Sequence, residues 1–139
     1  YEYGIITSVT ENSEGMSLSG SYKYLVNGET QTVSTNNKTL GASYGPARLT
    51  LGDGQLSSVM TLSQIRNPTS ISMLGITNED GTWYFSDSCS VYLQQNGAYS
   101  LLSLTELQNN FSKYNLKAYY DKDTQDGGRI RIIVATIKS

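Results

Sequence analysis

Three groups of acidic residues could supply proton-transfer chemistry in this chain. They are Glu11 with Glu14, Glu79 with Asp80, and the acids near Asp121. Glycoside hydrolysis needs two such carboxyl groups facing each other across a sugar-sized gap. Every candidate lies in or beside a predicted turn, where an acidic side chain is usually solvated. We therefore expect catalytic residues at none of these sites.

The other groups used in enzyme chemistry are scarce. The sequence has no histidine, which removes the commonest general base, the usual partner of a Ser or Cys nucleophile and a frequent metal ligand. Its single cysteine, Cys89, has no disulfide partner within the chain, and a buried apolar role is expected for it. The sequence thus predicts a protein that is not an enzyme and that uses no cofactor.

An acidic loop near the C-terminus has the composition of a cation site. Asp121, Asp123 and Asp126 precede two glycines, and crowded carboxylates are what calcium requires. The spacing does not fit an EF-hand, because the third acid comes one place late and the terminal bidentate Glu is missing. An ordinary acidic hairpin loop is the main interpretation, and a weak calcium loop is the alternative.

A run of three aromatic residues could bind a sugar ring. Trp83, Tyr84 and Phe85 are consecutive, and flat aromatic faces stack on sugars or on the apolar surface of a partner. Because side chains alternate across a strand, either Trp83 and Phe85 or else Tyr84 should face the core. Core packing is the main interpretation, and a sugar platform at Trp83 and Tyr84 is the alternative.

The overall charge and hydropathy exclude two classes of partner. The 139 residues carry a net charge of -2, with a pI near 5.0, so no large positive field attracts nucleic acid. The apolar runs are far shorter than the roughly 18 to 20 residues of a membrane-spanning helix. The chain starts at Tyr1 without a leader, so we expect a processed chain or a segment of a longer protein.

The elements that would hold these side chains are mainly hairpins. Asn27-Gly28 and Asn96-Gly97 are typical of tight type I′ turns between strands. Further turns are predicted at residues 11–15, 52–54, 78–81 and 126–128. The predicted strands are 3–10, a strand from about 16 to 26, 30–33, 47–51, 55–65, 71–77, 83–85, 91–95, 98–102, 116–121 and 129–137.

One short helix interrupts this pattern near residues 104–111. Ser103 and Glu106 have the spacing of a capping box, and Leu104, Leu107 and Phe111 lie on one helical face. In the last predicted strand, alternation places Ile130, Ile132 and Val134 on one face, in the core, and Arg129, Arg131 and Ile133 on the other.

The repetition of these turns suggests two halves. We predict an all-β protein with one short helix, made of two tandem small β-barrel or sandwich modules of similar layout. Module 1 covers residues 1–68, and module 2, with the helix, covers residues 69–139. Proline at position 68 supports this junction because it cannot continue a strand ladder. A single sandwich of many hairpins would give a similar pattern and remains the alternative.

Three segments resemble β-rich modules that accompany S-layer homology domains in surface proteins of Gram-positive Firmicutes. They are residues 119–122 (YYDK), 127–135 (GGRIRIIVA) and 3–7 (YGIIT). The resemblance implies an extracellular, cell-wall-associated location beside other domains of a larger surface protein. It brings no catalytic or ligand motif with it, and no wall-anchoring domain is visible in this sequence.

Together these features predict a non-enzymatic structural or adhesive module of an exported bacterial cell-envelope protein. Its expected partners are neighbouring domains of that protein, with cell-wall polymer or glycan as a further candidate, and neither nucleic acid nor a membrane span is expected. The first alternative is a carbohydrate-binding module that uses exposed aromatics. The second alternative is a wall-acting glycosidase.

Overall fold

The protein is built almost entirely of strands. The computed structural model describes residues 1–12, 19–35, 39–41, 43–122 and 127–138. Strand content is 66% and helix content 7%, which confirms the all-β class with one short helix. The strands are β1 (Glu2–Asn12), β2 (Ser19–Val26), β3 (Glu29–Ser34), β4 (Gly45–Gly52), β5 (Gln55–Thr61), β6 (Ser63–Gln64), β7 (Ser70–Ile71), β8 (Gly75–Asn78), β9 (Gly81–Gln95), β10 (Ala98–Leu101), β11 (Tyr114–Tyr120) and β12 (Ile130–Ile137).

Two compact units follow one another along the chain, Tyr1–Thr61 and Leu62–Ser139. The first holds a five-stranded antiparallel sheet in the order β3-β2-β1-β4-β5. The second holds a seven-stranded sheet in the order β6-β11-β12-β9-β8-β7, with β10 also paired to β9. One of the two sheets is curled into a half-barrel. Within the second sheet, β12 and β9 run parallel, so the two sheets differ in strand order and direction.

The division between the units falls after Thr61 rather than after Pro68. The predicted strand 55–65 ends at Thr61, and the chain then enters the other sheet. Ser63 and Gln64 pair with Tyr120 and Tyr119 of β11. The segment that precedes Pro68 therefore belongs to the second unit.

The Asn-Gly turns are confirmed. Asn27 and Gly28 have φ angles of 49° and 83°, and Asn96 and Gly97 have φ angles of 52° and 79°. Positive φ at both central residues is the backbone of a type I′ turn, whose twist matches that of the flanking strands. The two turns join β2 to β3 and β9 to β10.

The predicted strand 71–77 is wrong, because the chain turns within it. Ser72 Oγ accepts hydrogen bonds of 3.2 Å from the N–H groups of Leu74 and Gly75. The Ser72 N–H in turn donates to the Gly75 carbonyl over 2.9 Å. A serine hydroxyl that bonds to the backbone in this way favours a turn over a continuous strand. The result is a small hairpin, β7 and β8.

The short helix α1 spans Leu104–Asn109 and is followed by a 3-10 turn at Phe111–Lys113. Its predicted cap is present, since Ser103 Oγ accepts a hydrogen bond of 3.0 Å from the Glu106 N–H. Leu107 is fully buried. Among the described residues, no helix is long and apolar enough to cross a membrane.

Each unit has its own buried cluster. The first cluster consists of Ile6, Tyr22, Tyr24, Val33, Ala47, Leu49 and Leu56. The second consists of Ile65, Ile76, Val91, Leu107, Ala118, Ile130, Ile133 and Ala135. Each sheet thus buries apolar side chains from most of its strands, which is the main stabilising contribution to such a fold.

The faces predicted for β12 are wrong, although Ile130, Ile132 and Val134 are all buried as expected. Ile130 packs with Ile133 in the second cluster, whereas strict alternation would put them on opposite faces. The cause is a bulge at Arg131. Tyr119 pairs with Ile132 and Tyr120 pairs with Ile130, so Arg131 is an extra residue in the ladder. Such a bulge reverses the side-chain alternation beyond it.

Candidate functional site

The aromatic run lies at the start of β9, with alternate residues on opposite faces. Trp83 and Phe85 pack against the second buried cluster. The ring centroids of Trp83 and Tyr120 are 5.7 Å apart, at an interplanar angle of 35°. Tyr84 points the other way and is 42% exposed. Tyr84, rather than Trp83, is therefore the residue of the predicted sugar platform that presents a ring to solvent.

An open polar depression lies beside Tyr84. The guanidinium carbon of Arg129 is 5.9 Å from the centroid of the Tyr84 ring, within the range of a cation–π contact. The depression has a volume of about 490 Å³ and is lined by Phe85, Ser86, Asp87, Ser88, Arg129 and Arg131. We call it the arginine depression.

The arginine depression forms where β9 and β12 lose their common register. Ile130 pairs with Phe85, but Ile132 pairs with Ser90, so residues 86–89 bulge out of the ladder. Ser86 stabilises this bulge, because its Oγ accepts hydrogen bonds from the Ser88 N–H (3.2 Å) and from Nη1 of Arg131 (2.9 Å). Bulges of this kind redirect side chains and are frequent beside functional sites.

Arg131 also forms an ion pair with Asp121, at the end of β11. The Arg131 Nε to Asp121 Oδ2 distance is 2.9 Å, and Asp121 Oδ1 accepts the Arg129 N–H at 2.8 Å. The Asp121 side chain is only 4% exposed. Burial alone would raise the pKa of Asp121, but the donors from Arg129 and Arg131 outweigh it and lower the pKa below its usual value. Asp121 is therefore ionised at neutral pH and unsuited to act as a general acid.

Glu11 is exposed but lies in β1 rather than in a turn, and it also serves as a hydrogen-bond acceptor. Its Oε2 accepts from the Tyr22 hydroxyl at 2.5 Å and from the N–H groups of Leu40 (2.7 Å) and Gly41 (3.3 Å). The Tyr22 hydrogen bond is the largest influence on the Glu11 carboxyl and lowers its pKa, with burial acting in the opposite direction. Its predicted neighbour Glu14 lies outside the described residues.

The remaining acidic candidates do not form a site within the described residues. Glu79 and Asp80 are exposed in the turn between β8 and β9, where the Asp80 N–H donates to Asn78 Oδ1 over 2.8 Å. In the acidic loop, for which calcium binding was the alternative interpretation, Asp123 and Asp126 lie outside the described residues. Both carboxylate oxygens of Asp121 accept hydrogen bonds, one from the Arg129 N–H and one from Arg131 Nε. Within the described ranges, no group of three potential metal ligands occurs.

Cys89 lies at the end of the bulge and packs partly against the second buried cluster. Burial raises the pKa of its thiol to about 12, despite the opposing effect of the Arg131 charge. A thiol with so high a pKa is a poor nucleophile at neutral pH.

Comparisons with family models, with curated proteins and with solved structures found no match to this chain. Its function must therefore be argued from its own geometry.

Sequence reasoning missed Ser86, Arg129 and Arg131 as members of a common site. One signal was available, since Asp121 and Arg131 lie on the two strands of the predicted final hairpin, on either side of its loop, and opposite charges on paired strands often interact. Residues 86–90 lie between the predicted strands 83–85 and 91–95, whereas the structure has one strand from Gly81 to Gln95 with a bulge in it.

Proposed function

We propose that this chain is a non-enzymatic structural or adhesive module of an exported, cell-wall-associated bacterial protein. The observation that carries the non-enzymatic part is the use of the buried carboxylate of Asp121. Its two oxygens bind Arg129 and Arg131, and Arg131 extends the connection to Ser86. The network joins β11, β12 and β9 at the point where their register fails.

Glu11 supports the same interpretation in the first unit. Its carboxylate connects β1 to Tyr22 of β2 and to the backbone of Leu40 and Gly41. Acidic groups that hold strands and loops through several hydrogen bonds stabilise a fold. The envelope location has a separate basis, namely the resemblance of segments 3–7, 119–122 and 127–135 to modules of S-layer-associated proteins.

The location is tested with an antibody against this chain on cells of the source bacterium. Labelling of intact cells is the expected result, because an exported module is accessible without permeabilisation. Labelling that appears only after permeabilisation would refute the envelope assignment.

The lack of catalysis is tested by incubating the purified chain with cell-wall polymer and measuring the release of reducing sugars. We expect no release above that of heat-denatured chain. Release that is abolished by Asp121→Asn or Glu11→Gln, in variants that remain folded, would establish the glycosidase alternative instead.

A second candidate function is carbohydrate binding at Tyr84, favoured by the 42% exposure of its side chain beside the arginine depression. Stacking on a sugar needs a free ring face, and Arg129 occupies one side of this ring. If the second candidate is right, Tyr84→Ala should abolish retention on a glycan column. Retention that survives this substitution would exclude Tyr84 as the platform.

A further inference from the structure

We propose that the second unit binds one ring of a neutral oligosaccharide in a groove lined by carboxamide side chains. The carboxamides are those of Gln64, Asn67, Gln94 and Asn115, and we call this surface the amide groove. Its volume is about 200 Å³. The inference is independent of the envelope location and of Tyr84, since none of the arginine depression's lining residues belongs to the amide groove.

Strand pairing brings part of the lining to one face of the second sheet. Asn115 pairs with Thr136, and Lys117 pairs with Val134, in the antiparallel ladder of β11 and β12. Residues directly opposite each other, and residues two apart on one strand, share a face. These four side chains therefore lie together on the lining, on rigid elements that hold a binding site more accurately than loops do.

The segment that follows β6 forms one wall of the amide groove, and three hydrogen bonds hold this segment in place. The Ile65 N–H donates to the Ala118 carbonyl at 2.8 Å, and the Thr69 N–H donates to the Thr77 carbonyl at 2.9 Å. Between them, Asn78 Nδ2 donates to the Arg66 carbonyl at 2.6 Å. The wall is thus built before any ligand arrives, which reduces the entropy lost on binding.

Asn67 stands in an unusual backbone conformation within this wall. Its φ is +43°, and it precedes Pro68, which further restricts the residue before it. Non-glycine residues with positive φ persist where the surrounding structure holds them, and they cluster at binding sites. The backbone conformation sets the direction of the Cα–Cβ bond of Asn67.

The lining chemistry matches a sugar hydroxyl group. A carboxamide offers a donor and an acceptor, and a hydroxyl both donates and accepts, so each pair can form two complementary hydrogen bonds. Gln94 Nε2 lies 3.4 Å from the Tyr99 hydroxyl. The side chains of Gln64, Asn67 and Asn115 have no hydrogen-bond partner among the described residues and are available to a ligand.

Charge and size narrow the ligand class. Lys117 is the one charged side chain among the described lining residues, so the lining has neither the paired cations typical of an anion site nor acids for a metal ion. Pro68 and Leu116, which are half-buried, supply apolar surface for the C–H face of a sugar ring. The groove is small, with a volume of about 200 Å³, so the proposal is limited to a single ring.

The test is calorimetric titration of the whole chain with neutral hexasaccharides of glucose, N-acetylglucosamine and mannose, and with an acidic hexagalacturonate. We expect saturable binding of at least one neutral hexasaccharide. Gln64→Ala and Asn115→Ala should each weaken it about 3- to 10-fold, the effect of losing one or two hydrogen bonds. Asn109→Ala, on the exposed side of α1 and outside the groove, is the matched control and should leave the affinity unchanged.

Three further measurements separate this site from its alternatives. Binding of a neutral ligand should not depend on salt concentration or on Lys117→Ala, and Tyr84→Ala should have no effect on it. Absence of binding by all three neutral hexasaccharides would overturn the proposal. So would binding that both carboxamide variants retain while thermal melting shows them folded, or preference for the acidic hexasaccharide with loss on Lys117→Ala.

Discussion

Asp121 is a residue type that often serves in catalysis or metal binding, but its surroundings give it another role. The carboxylate is nearly fully buried and accepts hydrogen bonds from the Arg129 backbone and the Arg131 side chain. A buried charge is tolerated only when it is paired and hydrogen-bonded. The sequence could suggest that Asp121 is special, but it could not supply its partners, because they depend on the register of β11 against β12.

Replacing Asp121 with Asn should lower the free energy of unfolding by about 1–3 kcal/mol, because hydrogen bonds to a charged group are lost. Urea denaturation measures this difference. Asp87→Asn is the control, since Asp87 is an exposed acid of the same depression and its replacement should change stability little. Equal losses in the two variants would contradict a structural role specific to Asp121.

The stability difference between the wild type and Asp121→Asn should depend on pH, and the sign of this dependence follows from the pKa of Asp121. The folded pKa of Asp121 lies below its usual value, so its contribution is complete above about pH 4 and is lost as the pH falls through the lower, folded pKa. The stability difference between the wild type and Asp121→Asn should therefore be constant from neutral pH to about pH 5 and should shrink below about pH 4. A difference that grows on acidification would refute this assignment.

Cys89 should be unreactive in the folded chain. Burial raises the pKa of its thiol to about 12, whereas a cysteine in an unfolded chain has a pKa near 8.5. At about pH 8, we expect iodoacetamide to modify the folded chain at least about tenfold more slowly than the urea-unfolded chain. Mass spectrometry follows the reaction, and similar rates in both states would show that the thiol is accessible and ionisable.

The strands and turns differ in how far the sequence predicts them. The turns at Asn27-Gly28 and Asn96-Gly97 were predicted because positive φ restricts the residue types that a turn accepts. The break at Ser72 was not, since residues 71–77 are rich in apolar and β-branched types that favour a strand. The turn there is stabilised by two hydrogen bonds that Ser72 Oγ accepts from the N–H groups of Leu74 and Gly75.

Bulges explain the other differences between the predicted and the observed strands. Alternation of apolar residues in β12 is visible in the sequence, but the extra residue at Arg131 reverses it after Ile130. In β9, residues 81–84 pair with β8, and the bulge at residues 86–89 lies within the ladder to β12 that starts at Phe85. Bulges of this kind depend on how three strands pair with one another. A local sequence pattern does not carry that information.

Gly75 allows β8 and β9 to approach each other closely. A Cβ atom on Gly75 would overlap the Trp83 carbonyl of the neighbouring strand. Gly75→Ala should thus force the strands apart and lower the free energy of unfolding by about 1–3 kcal/mol, as overpacking typically does. Gly52→Ala is the control, because a Cβ there meets no atom within 4 Å. Equal stability of the two variants in urea would show that this close approach does not occur in solution.

The amide groove depends on the whole second unit. Its carboxamides come from residues 64, 67, 94 and 115, which are far apart in sequence and carry no shared motif. Sequence reasoning found Trp83 and Tyr84 as candidate sugar ligands because aromatic residues are conspicuous in a row. Scattered amides become a candidate site only when β6, β9, β11 and β12 are brought together.

The two units should respond separately to damage in their cores. Leu49 and Ile133 are fully buried in different clusters, and no strand pairing joins the two sheets within the described residues. Cooperative opening usually follows such units, so Leu49→Ala should reduce hydrogen-exchange protection mainly in residues 1–61, and Ile133→Ala mainly in residues 62–139. Each substitution should cost about 2–5 kcal/mol, the usual effect of a large-to-small change in a core. Each variant is the control for the other, and a uniform loss of protection along the chain in both would mean that the protein opens as one cooperative body.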